Sequence, residues 1–300
     1  MSNLCQEIDT MEEKGILEQR KLPDAEFDEL WQRIILPKAL KDQLIAQTLL
    51  ELTVRSQIPS KAAVPLHGII LLVGPPGTGK TSIAKGVASA AAALIQGGKV
   101  KFIEVEPHAL TSSALGKSQR EIRKFLEEVV TENAGQGPLI VLMDEVETLV
   151  SDRSKMSLEA NPIDVHRATD AMLAGLDNLA HKFPQLLFIC TSNFEGALDP
   201  AFVSRADLIL QIDIPTVEAC EAILTDTLTA MAEKWPNMKK LIKHADYKKV
   251  VEDSVGLDGR QIRKAVISAC TLDIDVVLDP GLLTMQQLRQ SITHAKKRKK

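Results

Sequence analysis

Aromatic residues are scarce: seven Phe, two Trp and one Tyr in 300 positions. A surface that stacks single-stranded nucleic acid uses several such rings, so that class is disfavoured. The four cysteines, Cys5, Cys190, Cys220 and Cys270, lie far apart with no metal-type spacing. They suit a reducing compartment, and Cys190 sits in an apolar run as a small core residue. No apolar run approaches the roughly 20 residues of a membrane span. The first twenty residues mix acidic and basic groups without an apolar stretch, which excludes a secretory signal. Positive charge is not in surplus either. With 36 Lys and Arg against 40 Asp and Glu, the net charge of −4 gives no global attraction to nucleic acid or anionic membrane. These absences lead us to expect a cytoplasmic protein. What is present, 45% hydrophobic and 25% charged residues, describes an ordinary soluble chain with core enough for two units.

Three parts are legible along the chain. Residues 1–66 are charged and helical in pattern, with no strand signal. Leu30, Ile34, Ile35 and then Leu40, Leu44, Ile45, Leu49, Leu52 recur at helical spacing, Pro37 standing near a helix start. Residues 67–215 alternate short apolar runs with helical segments: 69–73, 101–105, 139–143, 186–191 and 208–212 read as strands. That alternation predicts a parallel sheet flanked by helices, an α/β domain. From Thr216 to residue 300 the apolar residues return to helical periods, which predicts a small all-helical lid. It ends in the basic tail Lys296-Lys297-Arg298-Lys299-Lys300, read as a solvated helix end rather than a nucleic-acid arm.

The stretch Gly74-Pro75-Pro76-Gly77-Thr78-Gly79-Lys80-Thr81 fits the phosphate-loop spacing G-x-x-x-x-G-K-[ST]. It follows an apolar run rich in branched residues, Ile69 to Val73, as a buried parallel strand requires. Glycines let the backbone turn tightly, so that consecutive N–H groups face the phosphates. The helix expected from Ser82 adds its N-terminal dipole. Lys80 would neutralise phosphate charge and the Thr81 hydroxyl would ligate Mg²⁺. Some sixty residues on, Leu139-Ile140-Val141-Leu142-Met143-Asp144-Glu145 is an apolar strand ending in two carboxylates. Asp144 would hold the metal through its water shell, and Glu145 would polarise an attacking water. A phosphate loop alone predicts nucleotide binding; with the Asp-Glu strand it predicts ATP hydrolysis.

Three further elements refine this. Phe188-Ile189-Cys190-Thr191-Ser192-Asn193 is a strand ending in an amide. Asn193 would position the water and sense the γ-phosphate, or would simply turn the chain. Arg205, just before the last strand, cannot easily reach its own nucleotide but can reach a neighbour's, as an arginine finger does; the competing reading is a surface ion pair. Arg260, in Gly256-Leu257-Asp258-Gly259-Arg260-Gln261-Ile262-Arg263, lies in the first turn of a lid helix and would touch the γ-phosphate.

In order and in kind these motifs resemble the AAA+ ATPases. Within them the chain resembles the pachytene checkpoint protein 2 family, also called thyroid hormone receptor interactor 13. The resemblance runs from about Leu30 to the final helix. It is carried by Leu72 to Ser82, Leu142-Met143-Asp144-Glu145-Val146-Glu147-Thr148-Leu149, Thr191-Ser192-Asn193, Ala201-Phe202-Val203-Ser204-Arg205-Ala206-Asp207 and Gly259-Arg260. It implies a homo-hexameric ring that grips HORMA-domain proteins in its pore and partly unfolds them with ATP and Mg²⁺. Bacterial relatives of similar size accompany cyclic-oligonucleotide antiphage systems. For that branch the resemblance implies removal of a HORMA activator from its nucleotidyltransferase.

The chain departs from the family in two places. The segment before the phosphate loop is too short for the separate adaptor-docking domain of eukaryotic relatives, which suggests direct substrate engagement. In the expected pore loop, His108 to Ser118, relatives carry a bulky aromatic where this chain has Ala114, which leaves Leu115 as the apolar tooth. A second loop, 154–164, would precede a helix at 165–177. Three other classes stay open: a DNA-acting AAA+ protein of loader or transposition-regulator type, a protease-partner unfoldase and an ATP-gated scaffold. Negative net charge weighs against the first, the lysine-ended tail against the second, and Glu145 against the third.

Overall fold

A computed structural model describes residues 15–58, 66–97, 99–110, 117–152 and 162–298. Six strands form one sheet: β1 (Ile16–Leu22), β2 (Ile69–Val73), β3 (Val100–Val105), β4 (Leu139–Met143), β5 (Leu186–Ser192) and β6 (Leu208–Gln211), in the order β1-β3-β4-β5-β2-β6. Five of them are parallel, at the positions the apolar runs predict. The helices that matter here are α1 (Ala25–Arg33), α2 (Lys38–Leu49), α3 (Lys80–Ala92), α4 (Lys117–Lys124), α5 (Pro162–Lys182) and α6 (Pro200–Val203). They are followed by α7 (Val217–Ala232), α8 (Tyr247–Ser254), α9 (Gly259–Cys270) and α10 (Met285–Lys297).

Every residue of β2, β4 and β5 is buried, because helices cover both faces of the sheet. On one face Leu71, Val141 and Phe188 share a core with Phe125 of the turn after α4 and with Met172 and Leu176 of α5. On the other, α3 packs over β2, β4 and β5, and Phe27 of α1 meets Phe102 edge to face at 5.0 Å.

The strand β1 corrects the sequence reading, in which residues 1–66 carry none. It pairs antiparallel with β3 at the sheet edge, so the sheet is mixed. Ile16-Leu17-Glu18-Gln19-Arg20-Lys21-Leu22 keeps only its two ends buried. The polar middle hides the strand from a hydrophobicity pattern, yet it is what an edge strand tolerates. Glu18 holds Lys85 of α3 at 3.0 Å, and Lys85 reaches Glu104 of β3 at 2.6 Å.

By contacts the chain divides into two units. One comprises residues 1–32, 38–74 and 80–211; the other comprises 33–37, 75–79 and 212–300. The second is helical throughout its 212–300 part. Leu224 and Leu228 of α7, Val250 of α8, Ile262 and Val266 of α9, and Leu288 and Ile292 of α10 form its core. Its helix starts are specified locally. Thr216 caps α7, while Asp258 and Thr284 form reciprocal capping boxes with Gln261 and Gln287 on α9 and α10; each such cap is worth about 1 kcal/mol.

Candidate functional site

The phosphate loop leaves the C-terminal end of β2 and runs into α3. Gly77 and Gly79 have φ of 82° and 89°, a region that residues with a Cβ seldom occupy. Thr78 closes the turn by donating its hydroxyl to the Pro75 carbonyl at 2.9 Å, and Gly74 donates its N–H to the Ser192 carbonyl at 3.1 Å. Lys80 opens α3, two residues before the expected start at Ser82. It is only 7% exposed; its ammonium donates to the Gly74 carbonyl at 2.8 Å and to Oδ1 of Asn193 at 2.9 Å.

The two carboxylates stand where the sequence puts them, at the end of β4. Thr81 donates its hydroxyl toward both oxygens of Asp144, each at 3.0 Å. Beside them β5 supplies a group the sequence reading missed. The hydroxyl of Thr191 donates to Asp144 and accepts the backbone N–H of Glu145 at 3.0 Å. Register could have found it. Met143 pairs with Cys190, so the next residue of β5 stands beside the residue that follows β4.

Glu145 has φ 49° and ψ 50°, the one non-glycine residue with positive φ among the described residues. A left-handed, unbranched acidic residue at a strand end is uncommon, and such outliers gather at functional sites. Its Oε1 accepts from the Asn193 amide at 3.2 Å. Asn193 therefore joins Lys80 to Glu145 through the two ends of one side chain. Its backbone N–H donates to Glu147 Oε1 at 3.1 Å, and the other Glu147 oxygen is buried without a partner. Glu147, a second missed residue, thus fixes the turn that carries Asn193.

Arg205 is held elsewhere. Its Nε and Nη2 meet the two carboxylate oxygens of Asp177 on α5 at 2.7 and 2.8 Å, and Nη1 donates to the Ala201 carbonyl at 2.6 Å. Of the two readings left open for Arg205, the ion pair is therefore present. The bonds to Arg205 hold the Asp177 carboxyl below its ordinary value, and they raise the guanidinium in turn. The rest of the Phe-Val-x-Arg-Ala-Asp stretch is structural. Phe202 is fully buried, and Asp207 accepts the N–H groups of His67, Gly68 and Ile69 at the start of β2. Arg260 belongs to the helical unit, exposed at the second position of α9. Ala114, Leu115 and most of the 154–164 loop fall outside the described residues.

This donor set fits a nucleoside triphosphate with its metal: a glycine turn at a helix start, a lysine, a hydroxyl and a carboxylate. Among the described residues no cluster of three or more His, Cys, Asp or Glu could hold a metal alone. No helix among the described residues is long and apolar enough to cross a membrane.

Residues 70–214 match the model of the ATPase family associated with various cellular activities (AAA). The chain is 48% identical over 283 residues to CD-NTase-associated protein 6 of Pseudomonas aeruginosa, covering 94% of this chain and 93% of that one. It is 33% identical over 212 residues to the pachytene checkpoint protein 2 homolog of Oryza sativa subsp. indica. That match covers 69% of this chain but 44% of the plant protein, so the chain spans under half of it. In fold it is similar, with a TM-score of 0.77 at 18% identity, to a chain of the solved E. coli MS115-1 HORMA:CdnC:Trip13 complex, covering 94% of this chain and 96% of that one. An Asp-Glu pair beside a phosphate loop, on a chain so like these relatives along its length, makes this protein an AAA ATPase of the pachytene checkpoint protein 2 family, in the branch of CD-NTase-associated protein 6.

Proposed function

We propose that this ATPase couples hydrolysis to protein remodelling. As a ring of six copies it would partly unfold a HORMA-domain protein and release it from a nucleotidyltransferase, keeping that enzyme silent. The observation that carries the reading is the likeness at 48% identity, over nearly the full length of both chains, to a protein named for association with such a nucleotidyltransferase. The fold neighbour comes from a complex whose name joins HORMA, CdnC and Trip13, which supports the same choice of partners.

The site residues take their roles from position. Residues Gly74 to Ser82 would hold ATP by backbone N–H groups and Lys80; Thr81 and Asp144 would hold Mg²⁺; Arg260 would add a further cation toward the phosphates. ATP supplies the phosphoanhydride that is cleaved. Glu145 is the carboxylate placed to take a proton from water, and the Asn193 amide orients it. Lys80 now donates to Asn193, so a phosphate that engages Lys80 would also free Asn193. Arg205 would serve a neighbouring subunit's site, and Ala114 and Leu115 would face the substrate in the pore. The physical logic is simple: a kinetically trapped complex of two stable folds needs work, and coordinated ATP cycles supply it.

The test uses the Glu145→Gln protein as a trap, incubated with ATP in lysate of the native host and analysed by mass spectrometry. A HORMA-fold protein is expected, with or without its nucleotidyltransferase. The wild-type protein with ATP should then dissociate that pair. Recovery of nuclease-sensitive nucleic acid instead would overturn the reading in favour of a DNA-acting ATPase.

A further inference from the structure

We infer that Asp177 is a positioning residue for Arg205, holding its guanidinium ready to meet the phosphate of a neighbouring subunit. The inference rests on the reading of Arg205 as a finger in trans and adds the group through which it acts.

A guanidinium carries five N–H groups. Asp177 takes one from Nε and one from Nη2, and the Ala201 carbonyl takes one from Nη1. One N–H therefore remains on each terminal nitrogen, and charged N–H groups of this kind are what a phosphate accepts. A single-point ion pair would leave a long side chain free to rotate. A fork held at two points, with a third contact on the preceding helix α6, has a fixed plane, and so less rotamer freedom is lost on meeting the phosphate.

The setting supports the same reading. Arg205 follows α6, whose first turn is fixed by Asp199 accepting the Ala201 N–H, and it precedes Asp207, which is anchored on the backbone amides of His67, Gly68 and Ile69 at the entry to β2. The backbone on both sides is thus fixed. Asp177 lies on α5, which shares the buried core of the sheet through Met172 and Leu176. The pair is partly exposed, 23% for the arginine side chain and 43% for the aspartate. Solvent screening limits what a partly exposed pair adds to folding, while its bidentate geometry makes it stronger than a single contact. His67 Nε2 lies 3.8 Å from the same carboxylate, too far to replace Arg205 on it.

The experiment compares Asp177→Asn, Arg205→Ala and the double variant as full-length assembled protein. Turnover and KM for ATP are read together with retention of fluorescent ADP, with Mg²⁺, in the presence and absence of aluminium fluoride. That probe mimics the transferring phosphoryl group and reports the finger without turnover. For Asp177→Asn we expect turnover to fall about 10- to 100-fold, as misplacement of a catalytic group does. KM and plain ADP binding should stay unchanged while the gain from aluminium fluoride is lost. The double variant should be no worse than Arg205→Ala, because both changes act through one guanidinium. Full turnover in Asp177→Asn while Arg205→Ala is dead would overturn only the inference. Full turnover in Arg205→Ala would remove the finger and the inference with it. Losses that multiply in the double variant would show Asp177 acting elsewhere and also overturn it. Should Asp177→Asn fail to assemble, Asp177→Glu, which keeps the charge but displaces the fork, carries the same expectations.

Discussion

Glu145, proposed above as the general base, combines one strained backbone conformation with two hydrogen bonds. Its left-handed conformation is maintained by its N–H bond to Thr191 and by Asn193 on the carboxylate. Glu145→Gln keeps the shape and the Asn193 contact but removes the base. It should still bind ATP and should lose about 10²- to 10⁴-fold in turnover, the usual worth of a positioned general base. Near-normal phosphate release from that variant would remove Glu145 from this role. Thr191 is the more diagnostic position, because it is fully buried and the sequence reading assigns it no role of its own. Thr191→Val preserves volume while leaving the Glu145 N–H without its acceptor. A lost hydrogen bond costs about 0.5–1.5 kcal/mol, so urea denaturation should register that loss, and turnover should fall as Asp144 and Glu145 lose their shared anchor. A Thr191→Val protein as stable and as active as wild type would show that the hydroxyl only fills space.

At the scale of elements, most of the sheet was legible, and the reasons differ by strand. Strands β2, β4 and β5 are covered on both faces, so β2, β4 and the first five residues of β5 are unbroken apolar runs that could be little else. The phosphate loop was legible because its backbone conformation needs glycine at fixed places. Strand β1 was not, because an edge strand with one polar face carries no run at all. The Arg55–Glu51 pair was equally invisible. Both residues look like surface charges on a helix, yet Glu51 is fully buried and Arg55 is 7% exposed. Arg55 bonds Glu51 at 3.1 Å and caps the turn before β5, donating to the carbonyls of Phe183, Pro184 and Leu186. Gly68 completes this joint: its φ is 73°, and a Cβ there would lie 1.8 Å from Nη1 of Arg55. Burial pushes the Glu51 carboxyl up and the Arg55 guanidinium down; their attraction opposes both. Arg55→Met should therefore cost about 3–5 kcal/mol, the penalty for stranding a buried charge. Adding Glu51→Leu should recover part of it and no more, because three carbonyls stay without their donor. Thermal unfolding of the single and double variants reads both; equal stability of Arg55→Met and wild type would mean the pair is solvated in solution.

At the scale of the whole molecule, we propose that the residues read as one site serve more than one nucleotide. Lys80, Thr81, Asp144, Glu145 and Asn193 are linked by direct hydrogen bonds around the loop. Arg205 shares none of those bonds and is tied to Asp177 instead. A residue that is dispensable for binding in its own subunit yet needed for turnover in the next must be tested in mixtures. Arg205→Ala subunits retain Lys80, and Lys80→Ala subunits retain Arg205; each alone should be inactive. Mixed at equal amounts, half the sites keep Lys80 and half of those face an intact Arg205. About a quarter of the wild-type turnover per ring should then return if subunits fire independently, since a finger supplied in trans needs only the right neighbour. Native mass spectrometry would verify that mixed rings form. Such rings without recovered turnover at any ratio would place the work of Arg205 inside its own subunit. Recovery that rises with the mixed fraction would instead make the ring, and not the single chain, the catalytic unit.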